Sequence, residues 1–135
     1  MGIEQLTVQR PYQDNRSVSV APGDQGTVIT VPQTTTFPYD VWLYYLGLSI
    51  DVTANSSFAS FQLKYNGALF PPFDTINNQL APANQPIKFD VPYFMGRGGL
   101  VELVGLMAAG ATGNTLMVAN LGLILMKPGQ IPKLR

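Results

Sequence analysis

The chain has no cysteine and no histidine. Without cysteine there is no disulfide, no thiolate nucleophile and no zinc held by sulfur. Without histidine the commonest general base and the commonest metal ligand are gone. Charge is scarce as well. Eight Lys/Arg offset eight Asp/Glu, and charged residues are 12% of the chain, about half the usual ~25%. Scattered basic residues at zero net charge form no basic stripe with interleaved aromatics, so nucleic acid is not an expected partner. There is one tryptophan, and no segment carries the periodicity of a long amphipathic helix.

What the chain does have is apolar residues, 46% of 135. The length suits one domain, 1–135, and a domain of this size buries on the order of 70% of its unfolded surface. Near-zero net charge promotes association, so part of the surface is expected to be covered by partners. The opening MGIEQLTVQRPYQDNR lacks a basic region followed by an apolar run and does not read as a signal peptide. Leu6 stands where a myristoylation motif would need Ser or Thr.

The apolar residues follow a period of two. In FASFQLKYN, Ala59, Phe61, Leu63 and Tyr65 share a face opposite Ser60, Gln62 and Lys64, as in a half-buried strand. In QPIKFDVPYF, Ile87, Phe89, Val91 and Tyr93 alternate with Lys88, Asp90 and Pro92. The proline has no ladder donor, which places this strand at a sheet edge or a bulge. DVWLYYLGLSIDVT sets Trp42, Tyr44, Leu46, Leu48, Ile50 and Val52 on one continuous face, with Trp42 pointing inside. RSVSVA and QGTVITVP are shorter strands. APGDQG, TANSS, Asn66–Gly67 and ATGN supply turn chemistry between them, and residues 71–86 form the longest loop. About eight antiparallel strands at such spacing predict an all-β, single-domain β-sandwich of jelly-roll-like form.

The stretch LVGLMAAGATGNTLMVANLGLILM, Leu103 to Met126, carries no charge and is long enough to span a bilayer. It breaks at Ala111–Asn114, its glycines weaken a helix, and Asn114 and Asn120 would need partners in hydrocarbon. The expectation is no membrane segment. Instead it reads as a hairpin, LVELVGLMA up and TLMVANLGLILM back, apolar on both faces and therefore covered on both.

Catalysis is hard to build from this composition. A serine nucleophile would need a lysine or carboxylate as base, and Lys64 and Lys88 fall at outward phases. Asp40, Asp51, Asp74, Asp90 and Glu102 are isolated in sequence, which gives no sign of paired-carboxylate chemistry. GRGG (96–99) lacks the Lys-Ser/Thr and the helix of a phosphate loop and reads as a tight turn. DNRS (14–17) and FDTINN (73–78) hold oxygen ligands without EF-hand spacing. The expectation is a non-enzyme with no cofactor, no metal and no small-molecule substrate. Glycosylation sequons occur at Asn15 and Asn55.

Several segments suit contact with partners. Ile3, Leu6, Val8 and Tyr12 alternate with polar residues, as a first strand or as an extended arm (1–15) that adds to a neighbour's sheet edge. The tail 127–135 is extended, with Ile131 and Leu134 as anchors. Phe70 and Phe73 in ALFPPF cap the sandwich or form a contact patch. Met117, on an apolar face of the last strand, is a further interface candidate.

Strand count, long proline-rich loop, extended termini, scarce charge and absent Cys and His together resemble a viral or phage jelly-roll protein of the capsid, either a decoration (cement) protein or a small coat protein. The resemblance is architectural and covers the whole chain. No motif matches residue by residue, so no functional residue is carried over. It implies a homo-oligomer, a trimer favoured, located in the virion and bracing the major capsid protein. A carbohydrate- or receptor-binding β-sandwich is one rival; it needs an exposed aromatic platform, which an inward Trp42 would not supply. A tail or head-closure protein is another.

Overall fold

The computed structural model describes residues 9–31, 39–71, 73, 75–77 and 87–132. Nine strand segments and one 3-10 turn follow in order: β1 (Gln9–Val20), β2 (Gln25–Val31), β3 (Asp40–Ile50), the turn (Thr53–Phe58), β4 (Ala59–Tyr65), β5 (Ala68–Leu69), β6 (Ile76–Asn77), β7 (Ile87–Arg97), β8 (Val101–Met107) and β9 (Thr115–Met126). They form two antiparallel sheets. Sheet A has the order β1-β9-β3-β7; sheet B has the order β2-β8-β4-β5, with β6 also on β4. The long strands therefore alternate between the two sheets along the chain, and the fold is the all-β sandwich expected. Leu43, Leu46, Leu121 and Leu123 of sheet A meet Ile29, Phe61, Leu63 and Leu103 of sheet B in one buried core.

The charge-free stretch is not a hairpin. β8 and β9 lie in opposite sheets, β8 between β2 and β4 and β9 between β1 and β3. Each is central in its own sheet, and its inward face packs in the core between the two sheets. Across the core, Met117 of β9 lies so close to Gly105 of β8 that a Cβ there would stand 2.6 Å from the Met117 sulfur. Some outward residues of these strands are buried as well, Val104 and Ile124 among them, whereas Leu116 is exposed. The inward face of both strands is covered within the chain. Among the described residues, no helix is long and apolar enough to cross a membrane.

Bulges reset the phase of the other strands. In β3 the register against β9 slips between Leu43 and Tyr45, leaving Tyr44 as the extra residue. Val41 and Leu43 face the core before the slip; Leu46, Leu48 and Ile50 face it after. The single continuous face from Trp42 to Val52 is therefore not realised, because an extra residue flips alternation. β7 is the edge of sheet A and is irregular between Lys88 and Tyr93. Pro92 sits inside that irregular part, and Val91, expected on the inward face, is 78% exposed. β4 keeps its simple alternation, with Ala59, Phe61 and Leu63 buried.

The chain from Gln9 onward pairs along the length of β9, so Tyr12 belongs to the first strand of the domain, its backbone opposite Leu123. Ile3, Leu6, Val8 and Leu134 lie outside the described residues. Asn66 and Gly67 both take positive φ, +55° and +82°, which closes the β4–β5 hairpin in the two-residue form that an Asn-Gly pair favours.

Candidate interaction surface

The outward face of sheet A is built by register. Trp42 of β3 stands beside Ile124 of β9 and Phe94 of β7. The Trp42 and Phe94 rings meet at 5.0 Å in a tilted contact. The extra residue Tyr44 and its neighbour Tyr45 continue the aromatic row, 6.4 Å between ring centres. They lie over Gly122, where a Cβ would come within 2.7 Å of Tyr45 and 2.9 Å of Tyr44. A glycine in mid-strand gives these rings a seat that any side chain would fill.

Trp42 thus points away from the core, the reverse of the sequence expectation. The Leu43/Tyr45 slip accounts for it, since Trp42 has the phase opposite Leu43. The missing signal was the bulge, which the doubled tyrosine in WLYYLG marks only in hindsight. Phe94 is 47% exposed. From Trp42 to Ser49 and from Leu116 to Ile124, every outward side chain of β3 and β9 is uncharged. The Trp42 indole N–H is enclosed and has no hydrogen-bond partner among the described residues.

One end of this face is locked by a polar corner. One Asp40 oxygen accepts from Arg97 Nε at 2.9 Å, and the other accepts from the Gly129 backbone N–H at 2.9 Å. The GRGG turn joins the sheets there: Gly98 N–H donates to the Tyr39 carbonyl at 2.8 Å, with Gly98 at φ +64°. The Tyr65 ring fills the hollow over the turn, and a Cβ at Gly99 would stand 2.0 Å from that ring. Close approach of the Tyr65 ring accounts for Gly96 and Gly99, and positive φ for Gly98. The Tyr65 hydroxyl is enclosed and has no hydrogen-bond partner among the described residues. Burial pushes its pKa above the ordinary 10.0; the Gly99 backbone, nearby but outside hydrogen-bonding geometry, pulls partly back, and the Asp40 charge adds to the rise.

The other interface candidates divide. Met117 is 0% exposed and belongs to the core; its face of β9 looks across the sandwich at sheet B, so it is withdrawn as a surface residue. Phe70 and Phe73 are half-buried against the core and hold Tyr93 edge-on at 5.5 and 5.6 Å. The Phe70–Phe73 turn is bonded to Leu63 of β4 through its backbone at both ends, each bond 2.9 Å. These two rings close the edge of the sandwich between β4 and β7. Ile131 is 75% exposed, beyond the point where Asp40 pins the start of the tail.

Asn55 is buried and bolts the 3-10 turn to the β8–β9 crossing. It donates to the Thr112 carbonyl at 3.0 Å and to Thr115 Oγ1 at 2.8 Å, and accepts from the Thr112 N–H at 3.0 Å. The sequon at Asn55 therefore sits on an amide that the fold has used. Among the described residues, no three carboxylates gather in a way that could hold a metal ion. No family model matches the chain, and no curated protein matches it.

Proposed function

We propose that the protein is a structural virion component, a capsid decoration or minor capsid protein that self-associates, a trimer favoured, and braces the major capsid protein. The observation that carries this reading is the aromatic face of sheet A, uncharged along β3 and β9 and presented on a β-sandwich. Trp42, Phe94, Tyr44 and Tyr45 form its aromatic part, and Leu116 and Val91 are exposed beside it or along its edge. Fold alone does not assign a role. A contiguous apolar patch on a chain with little charge is the feature that marks a contact surface. Each Å² of apolar area hidden there contributes about 25 cal/mol before the costs of association. The role is mechanical and needs no cofactor.

The test is mass by light scattering at micromolar concentration. The wild-type chain forms a defined oligomer whose mass is little changed by salt, because the contact is apolar. The double variant Val91→Ser, Phe94→Ser shifts to monomer with unchanged circular dichroism. A wild-type chain that stays monomeric, or an oligomer indifferent to both substitutions, overturns the assignment of this face.

A further inference from the structure

We propose that a groove at one end of sheet B binds neutral carbohydrate. Register places Gln25, Leu106 and Ser60 in one row across β2, β8 and β4, on the outward side of the sheet. The turn after β1 brings Asp24 to one wall: Gly23 N–H donates to the Met107 carbonyl at 2.9 Å, and Met107 N–H donates to the Asp24 carbonyl at 3.0 Å. The end of the 3-10 turn forms the other wall. There the Phe58 ring rests on Gly110, where a Cβ would come within 2.8 Å of it, and the Phe58 carbonyl accepts from Ala108 N–H at 2.9 Å. The ring is held in place, yet remains 37% exposed. These residues line an open groove of about 450 Å³, within the ~300–1,000 Å³ range of ligand sites.

The polar groups in the groove are uncommitted. Among the described residues, no side-chain hydrogen bond engages Asp24, Gln25 or Ser60. A carboxylate, an amide and a hydroxyl therefore converge beside one aromatic face. A pyranose ring matches that set: its C–H face stacks on Phe58 and its rim hydroxyls donate to Asp24 and exchange hydrogen bonds with Gln25 and Ser60. A phosphate or sulfate meets the Asp24 charge, and among the described residues no basic one lines the groove. An apolar ligand would strip water from three polar groups and give nothing back. The Trp42 face lies on the opposite sheet. Sugar binding and self-association are thus separable.

The experiment titrates the full-length ¹⁵N-labelled chain with the methyl glycosides of glucose, galactose, mannose and N-acetylglucosamine, and with cellotetraose and chitotetraose. At least one sugar shifts the amides of Gln25, Phe58, Ser60 and Leu106 with a Kd on the order of millimolar. The double variant Gln25→Ala, Ser60→Ala weakens that binding at least about tenfold with an unchanged melting curve, and Phe58→Leu weakens it through loss of the ring. The double variant Val91→Ser, Phe94→Ser binds as well as wild type. Absence of shifts at these amides for every sugar, undiminished binding by the Gln25→Ala, Ser60→Ala variant, or tighter binding of tetramethylammonium than of any sugar overturns the proposal.

Discussion

Asp40 and Arg97 face each other across the β3–β7 pair, carboxylate to guanidinium at 2.9 Å, but they share the water unequally: the Arg97 side chain is 56% exposed and that of Asp40 only 6%. The two partners therefore do different work. Asp40 also holds the Gly129 N–H, which ties the chain after β9 to the start of β3. Arg97 satisfies one side of a carboxylate that the fold has already committed.

This asymmetry gives an ordering. Asp40→Ala leaves a backbone donor and a guanidinium without their acceptor and costs about 1–3 kcal/mol. Arg97→Ala costs less, because it removes one of the two donors to Asp40 and leaves the Gly129 bond in place. Urea unfolding of both variants measures the difference. Equal losses would mean that the Gly129 bond contributes nothing.

Gly99 and Tyr65 are coupled by contact. Gly99→Ala forces a methyl group into the Tyr65 ring, an overpacking that costs about 1–3 kcal/mol or more. In a Tyr65→Ala background the same change meets empty space. A double-mutant cycle therefore shows strong non-additivity; an additive result would place the ring elsewhere.

The enclosed Tyr65 hydroxyl ties stability to alkaline pH. Its folded pKa is raised above 10.0, first by burial, so the folded state holds the proton after the unfolded chain has released it. The resulting stability is complete below pH 10 and declines as the pH rises through the folded pKa. Tyr65→Phe removes this decline. It also removes an unpaired polar atom, so its stability at neutral pH is equal to or above wild type. Thermal melts across pH 8 to about 11.5 compare the two slopes, and identical slopes would rule out Tyr65 as the source.

Asn55 makes three hydrogen bonds between the 3-10 turn and the β8–β9 crossing. At about 1 kcal/mol each, plus the penalty for stranded partners, Asn55→Ala costs about 2–4 kcal/mol. Hydrogen exchange at Thr112 reports the loss locally. Protection at that amide equal to wild type would show that the turn is held by other means.

Much of this structure could be read from residue order. Alternation in FASFQLKYN placed Ala59, Phe61 and Leu63 in the core. Pro92 marked an edge strand with irregular pairing, and Asn66–Gly67 marked a hairpin. These features are local: they depend on a period of two, a missing donor and a tolerated positive φ. The two-faced apolarity of β8 and β9 was equally visible, but their placement in opposite sheets was not. Neighbouring apolar strands joined by a turn look the same whether they pair with each other or cross to opposite sheets.

The sequence by itself determined that the chain is all-β, low in charge and without cysteine or histidine. Tertiary structure alone decided which way Trp42 points, because one extra residue at Tyr44 reverses every later side chain in β3. It alone brought Asp40 to Gly129, Tyr65 to Gly99, and Asp24, Gln25, Phe58 and Ser60 to one groove. Such contacts join residues far apart in the chain, and only the pairing register of the strands between them sets which ones meet.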